Sequence, residues 1–316
     1  MARIVVLTPN PAVDVTYEVG EQRLGETVRV SAVTRRPGGK GLNVVSVLGR
    51  LGVPAVALQP LGGGTGHWIE ESLIAAGTDA VVVPAGGDTR TTVAVVDGRI
   101  HPTLYSEPGN ALPDATWREL ADASGRLCEP GGFLVVSGSF PPGTRPEHVS
   151  AVVTAARAAG ARVLADTSGA ALLAAADAGA DILKPNEAEA MEATDTGALD
   201  DAAAVLLARG AGSAVISRGG DGIAAFAPGV EALHQPAVPG VTGNPTGAGD
   251  AATAGLVAAL HSGRDLREAL RWAAVVGAAA VLAPVAGRID PDDLAPLADR
   301  LPAGDRPTLP SPILLR

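Results

Sequence analysis

Short runs of valine, isoleucine and leucine alternate with stretches of helical spacing along this chain, and that alternation most constrains its fold. Residues 4–7, 132–136, 162–165 and 181–183 are such runs, and 145–159 is one of the intervening helical stretches. A run that is apolar at every position is buried on both faces, which a strand achieves in a sheet covered by helices on either side. The expectation is an α/β fold with a central, mostly parallel sheet and crossover helices. Two regions depart from the pattern: residues 13–19 with 27–34, and 91–96 with 100–106 across Asp97-Gly98, read as antiparallel pairs. Asp-Gly is a strong hairpin signal. The apolar stretch 273–286 is too short to span a bilayer and reads as a buried helix. Pro302, Pro307, Pro310 and Pro312 mark 301–316 as an extended tail.

The chemistry concentrates in four motifs. Thr246-Gly-Ala-Gly-Asp250 is a glycine-rich turn leading into a helix of small residues. Its glycines allow close backbone approach, and the unpaired N–H groups of a first helical turn attract anions. Asp250 is then either a base for an acceptor hydroxyl or a first-turn acid that complements the helix dipole. Strand 4–7 runs into Thr8-Pro-Asn-Pro-Ala-Val-Asp14, placing Asp14 beyond a strand end, where α/β sheets bind small molecules. It is a candidate for sugar hydroxyls, with a turn-capping aspartate as the alternative. Pro37-Gly-Gly-Lys-Gly-Leu-Asn43 forms a second anion-friendly helix start, with Gly38 and Gly39 for close approach, Lys40 for charge and Asn43 for hydrogen bonds. Ile182-Leu-Lys-Pro-Asn-Glu-Ala-Glu189 puts Asn186 and Glu189 on one helical face, where they either order water around a magnesium ion or cap the helix. The chain has only two lysines, Lys40 and Lys184, against 22 arginines, and both lie in these motifs.

Taken in order, Asn10…Asp14, Gly38-Gly39-Lys40-Gly41…Asn43, Lys184-Pro-Asn-Glu-Ala-Glu189 and Gly247-Ala-Gly-Asp250 resemble the ribokinase-like carbohydrate kinases, specifically the phosphofructokinase B branch. Ser106-Glu-Pro-Gly109, Ser137-Gly-Ser-Phe-Pro-Pro-Gly143 and Asp166-Thr-Ser-Gly169 are most similar to 1-phosphofructokinases, tagatose-6-phosphate kinases and minor 6-phosphofructokinases. The resemblance covers nearly the whole chain. It implies one ribokinase-like domain over 1–316, a three-layer sandwich with a small β lid built from about 12–34 and 90–106. It implies ATP and Mg2+ as cofactors and an already phosphorylated ketohexose as acceptor: fructose 1-phosphate, with tagatose 6-phosphate or fructose 6-phosphate as alternatives. Asp250 would be the base, and the N–H groups of Gly247, Ala248 and Gly249 the anion hole. Asp14, Gly38, Gly39 and Asn43 would bind sugar hydroxyls, Arg90 with Lys40 and Ser139 the sugar phosphate. Lys184, Asn186, Ser217, Gly219, Gly222 and Thr246 would border the nucleotide, and Glu189 would reach magnesium through water. Arg218 and Pro245 depart from the usual pattern.

A formal charge of −10 and a pI near 5.0, without basic tracts, argue against nucleic acid or an anionic membrane as partner. An anionic sugar phosphate and ATP must therefore meet local positive charge at Lys40, Arg90 and Lys184. The single Cys128 precludes an internal disulfide and reads as packing. No signal peptide or transmembrane run is visible, so a cytoplasmic enzyme is expected, with a homodimer through the lid as the family's precedent. Two other classes fit the sequence less well. A sensor that lost catalysis is disfavoured by Asp250 and its glycines, and a dinucleotide-dependent oxidoreductase by Thr8-Pro-Asn-Pro11 standing where a glycine fingerprint would follow the first strand.

Overall fold

Every residue of β1 (Ile4–Leu7) is buried, with Ile4 and Val6 in one hydrophobic core and Val5 and Leu7 in another. That two-sided burial is what the apolar run required, and it sets the layering of the molecule. The computed structural model describes residues 2–23, 25–98, 102–283 and 285–308. The remaining strands are β2 (Ala12–Val19), β3 (Val30–Gly38), β4 (Ala55–Leu61), β5 (Ala80–Pro84), β6 (Thr91–Val96), β7 (Thr103–Ser106), β8 (Phe133–Ser137), β9 (Arg162–Asp166), β10 (Ile182–Leu183), β11 (Ala214–Ser217), β12 (Ile223–Ala227) and β13 (Val230–Gln235). Helices α1 (Lys40–Arg50), α2 (Gly63–Ala75), α8 (Ala248–His261), α9 (Leu266–Leu282) and α10 (Leu294–Asp299) contribute to the core containing Ile4 and Val6. Helices α3 (Asp114–Leu127), α4 (Pro146–Ala158), α5 (Gly169–Asp177), α6 (Glu187–Thr194) and α7 (Leu199–Ala208) contribute to the other.

The large sheet has the order β13-β12-β11-β10-β9-β8-β1-β4-β5 and is parallel except for the antiparallel pairings of β12 with β11 and β13. The second sheet, β3-β2-β6-β7, contains both expected antiparallel pairs. They are joined by a parallel β2–β6 pairing that local sequence did not announce. The first hairpin differs in its bounds. Its return strand covers Val30–Gly38 rather than 27–34, so the glycine motif begins inside the sheet. Pro37 has no N–H for a ladder, and β3 is an edge strand, where that loss is tolerated. In the second hairpin, positions 100–101 lie outside the described residues. The apolar stretch at 273–286 is helical to Leu282, within α9.

Helix α8 is buried all round from Asp250 to Leu260, as a helix apolar on every side must be. It lies close against α9 because Gly255 has no side chain; a Cβ there would meet the Trp272 carbonyl oxygen at 2.9 Å. No helix among the described residues is long and apolar enough to cross a membrane. The proline-rich end is docked as far as it is described: Leu301 is buried, Ala303–Asp305 forms a 3-10 turn, and Gln235 Nε2 donates to the Asp305 carbonyl at 3.2 Å. Residues 309–316 lie outside the described residues.

Toward the carboxyl ends of five adjacent strands one polar row crosses the sheet. One step beyond the Leu7–Leu58 and Leu7–Val136 pairs come Thr8, Gln59 and Ser137; Ser137 pairs with Asp166, and Lys184 follows the Leu183–Ala165 pair. All five side chains are buried. Asp166 and Lys184 pair with each other, whereas Thr8 Oγ1, Ser137 Oγ and both amide atoms of Gln59 have no hydrogen-bond partner among the described residues. A buried amide without partners costs about 1–3 kcal/mol. Gln59 is 0% exposed and shares its face with Ala57 and Leu61. Gln59→Leu should therefore stabilise the fold by about 1–2 kcal/mol in urea unfolding; a comparable loss would show that buried water satisfies the amide.

Candidate active site

Asp166, at the end of β9, joins both lysines. Its Oδ2 lies 3.3 Å from Lys184 Nζ and accepts from Thr253 Oγ1 of α8 at 2.5 Å; its Oδ1 lies 3.8 Å from Lys40 Nζ at the start of α1. Lys184 is 2% exposed. Burying an ammonium group is costly unless a counter-charge offsets it, and Asp166 stands in that position. Lys40 is more open and also approaches Glu189 Oε1 at 3.5 Å. Burial works to lower the Lys40 pKa, but Asp166, Glu189 and Asp250 outweigh it and hold the ammonium above its ordinary value. The two lysines that stood out in sequence thus meet at one carboxylate. Asp166 itself went unread as a site residue, although a carboxylate ending a parallel strand was the available signal.

Asp250 lies in the first turn of α8 and is 6% exposed. Asn43 Nδ2 donates to its Oδ2 at 2.8 Å. Burial, reinforced by nearby Asp166, pushes the Asp250 carboxyl up to about 7, against the pull of the Asn43 bond and both lysines. Gly247 adopts φ 85°, a left-handed conformation suited to glycine. The three N–H groups of the turn are not equivalent. Ala248 donates to the Pro245 carbonyl at 3.1 Å, whereas the Gly247 and Gly249 N–H groups have no partner among the described residues. The space beside Gly249 where a side chain would stand is open. Thr246 N–H donates to Asn244 Oδ1 at 3.0 Å, so Asn244 and Pro245 both shape the turn.

The second sheet carries the other cluster. Asp14 on β2 accepts from the Gly39 N–H and faces Arg36 and Arg90; burial raises its pKa more than these partners lower it. Gly38 packs directly on the Asp14 carboxyl group, where a Cβ would come within 2.1 Å of Cγ, and Gly39 adopts φ 104°. Arg90 is held rather than solvated: Nε donates to the Asn10 carbonyl at 3.1 Å, and Nη1 to Ser106 Oγ at 2.9 Å and the Glu107 carbonyl at 3.0 Å. Asn10 also reaches Ser139 Oγ at 3.5 Å, linking the exposed Ser139 to this side of the site. Asn10 therefore positions Arg90, a task its motif did not reveal.

Beyond Lys184, Asn186 caps α6. Its Oδ1 accepts from the Glu189 N–H at 2.8 Å while Glu189 Oε2 accepts from the Asn186 N–H at 2.9 Å, so the capping alternative is realised. Asn186 also bridges to Ser217 across the sheet end. Gly219 begins the 3-10 turn Gly219–Asp221, and Gly222 is glycine for a local reason, since a Cβ would meet the Gln235 carbonyl oxygen at 2.1 Å. Arg218 turns to Glu187, 3.6 Å away. Among the described residues no three His, Cys, Asp or Glu side chains converge on a metal position. Glu189, with its side chain 23% exposed, is the open acid of the site, and Asp166 at 5% is enclosed. A magnesium ion that arrives on nucleotide phosphates takes one or two carboxylates and keeps several waters, so this donor set fits it.

A buried carboxylate beside glycine N–H groups at a helix start, with two lysines at the sheet's carboxyl edge, is equipment for phosphoryl transfer. Comparison with known proteins narrows the class. The profile described as pfkB family carbohydrate kinase matches residues 7–292. A 1-phosphofructokinase of Xanthomonas campestris pv. campestris is 34% identical over 300 residues, covering 91% of this chain and 94% of that protein. An ATP-dependent 6-phosphofructokinase isozyme 2 of Mycobacterium tuberculosis is 30% identical over 298 residues, covering 92% and 88%. The crystal structure of phosphofructokinase-2 from Escherichia coli in complex with potassium superposes with a TM-score of 0.88 at 29% identity, over 94% of this chain and 98% of that one. The chain belongs to the pfkB family of carbohydrate kinases.

Two variants test the electrostatics. Folding moves the Asp250 carboxyl from 3.8 to about 7, so ionising it penalises the folded state increasingly as pH rises between those values. Asp250→Asn should raise stability at pH 8 by on the order of 1–3 kcal/mol, with the gain shrinking toward pH 4. Thermal melts across that range would refute this by showing the same shift throughout. Asp166→Asn should cost about 3–5 kcal/mol in urea unfolding, because Lys184 is left buried without its counter-charge; a loss under about 1 kcal/mol would mean that Lys184 finds another partner or water.

Proposed function

We propose that the protein transfers the γ-phosphoryl group of ATP to the C6 hydroxyl of fructose 1-phosphate, giving fructose 1,6-bisphosphate. The observation that carries this reading is Asp250: buried, oriented by Asn43, with a proton affinity raised to about 7 and adjacent to the open Gly247 and Gly249 N–H groups. A base of that affinity accepts the hydroxyl proton as the new O–P bond forms near neutral pH. The Gly247 and Gly249 N–H groups stabilise charge on the transferring phosphoryl group, and Ala248 joins them when its bond to Pro245 opens. Lys184 offsets nucleotide charge, while Ser217, Gly219, Gly222 and Thr246 border the nucleotide. Magnesium, when bound, neutralises phosphate charge, and Glu189 would reach it through ordered water, with Asn186 beside the nucleotide as the cap that orients Glu189.

Asp14, Gly38, Gly39 and Asn43 hold sugar hydroxyls, and Arg90 with Ser139 and Lys40 holds the acceptor's phosphate. The second sheet acts as a lid that keeps water, the competing acceptor, from the phosphoryl group. Its open face includes the exposed Leu104, and a second copy of the chain is proposed to cover it. Fructose 6-phosphate is the second reading, supported by the 6-phosphofructokinase relative; tagatose 6-phosphate stands beside it.

The deciding experiment compares kcat/KM for fructose 1-phosphate, fructose 6-phosphate, tagatose 6-phosphate and unphosphorylated fructose with ATP and magnesium. Preference for fructose 1-phosphate supports the assignment, preference for a 6-phosphate replaces the substrate, and inactivity on all four favours a sensor. Arg90→Ala should raise the sugar-phosphate KM by about tenfold or more while sparing the ATP KM; equal use of unphosphorylated fructose by the parent enzyme would refute this role. The parent kcat/KM should fall as pH drops below about 7, through protonation of Asp250.

A further inference from the structure

Arg36 has no role in the reading above, yet its position joins two halves of the site. It lies on β3 directly opposite Asp14 in the β2–β3 register. Its Nη1 donates to the carbonyl of Ala286 at 2.9 Å. Among the described residues this is the only hydrogen bond from the second sheet to the C-terminal third of the chain. The side chain is half-buried, with the Asp14 carboxylate attracting it and the Arg288 guanidinium repelling it.

The segment it grips seats the phosphoryl-transfer machinery. Gly247 packs so closely on Ala286 that an added Cβ would lie 2.8 Å from the Ala286 Cβ. Gly287, at φ 70°, packs on Asn43, and a Cβ there would come within 2.6 Å of Asn43 Oδ1. Asn43 in turn holds Asp250. A contiguous set of contacts therefore runs from the second sheet through Arg36 and residues 286–287 to both the glycine turn and the base. Arginine suits the task because its planar fork has five donors and can serve a carbonyl while facing a carboxylate.

We propose that Arg36 is a positioning residue that latches the lid to the Ala286–Gly287 segment, so that lid closure over the acceptor also seats the Gly247 turn and Asn43. The proposal rests on the kinase reading for its effect on turnover, but the latch has a readout of its own. In hydrogen exchange on the intact apo protein, Arg36→Ala should speed exchange at 30–38 and at 285–288 together, with the melting transition retained. Arg35→Ala, which removes a neighbouring exposed charge, should change neither segment. In kinetics, Arg36→Ala should lower kcat about tenfold or more, leave the ATP KM unchanged and raise sugar-free ATP hydrolysis relative to transfer. Arg36→Lys should restore part of kcat. Unchanged exchange at 285–288 in Arg36→Ala would overturn the latch whether or not the enzyme turns over sugar phosphate. A raised sugar KM with kcat intact would also overturn it, reducing Arg36 to a sugar-binding residue.

Discussion

The ion cluster at Asp166 is the interaction on which the rest of the site depends. One carboxylate at the end of a parallel strand compensates a lysine from the next strand, approaches a second from the start of α1 and accepts from a threonine of α8. Without it, two ammonium groups would face each other in a poorly solvated space. With it, the two ammonium groups stay close together in a protein of formal charge −10, each beside a carboxylate. The same carboxylate repels the charge on Asp250, which raises that residue's proton affinity. Placement of the lysines and tuning of the base are therefore one electrostatic arrangement.

The polar row across the sheet shows what this arrangement demands of the scaffold. Toward the carboxyl ends of five adjacent strands, Gln59, Thr8, Ser137, Asp166 and Lys184 stand side by side in an otherwise mostly apolar sheet. Three of these carry buried polar atoms with no partner among the described residues. Departures from core rules concentrated at one edge of a sheet are expected where the fold serves a ligand rather than its own stability.

Much of this was legible in sequence because its causes are local. Buried strands need apolar runs, turns at positive φ need glycine, and anion-binding helix starts need small residues, so β1, the Gly38–Gly39 turn and the Gly247–Asp250 turn could be read directly. Long-range placement was not legible. Asp166 stood in a recognisable motif, but its role as partner to both lysines depends on Lys40 and Thr253, far away in the chain, being brought to it. Residues 286–287 had no motif at all, because their importance lies in packing against Gly247 and Asn43. Asn186 and Glu189 had two local readings, and the backbone decided for the cap, leaving Glu189 Oε1 turned toward Lys40.

The parallel pairing of β2 with β6 has a consequence for the order in which the molecule assembles. The two hairpins of the small sheet are separated by α1, β4, α2 and β5, so their seam is a contact between residues 78 positions apart, as Val13 with Thr91. Each hairpin can form by itself within its own stretch of chain, but the seam must wait until the intervening strands and helices have docked and brought β2 and β6 into register. The small sheet is thus completed late, on a scaffold that is already docked. Until that seam forms, Asp14 on β2 and Arg90 just ahead of β6 are not brought face to face, so their pairing is a property of the finished molecule alone.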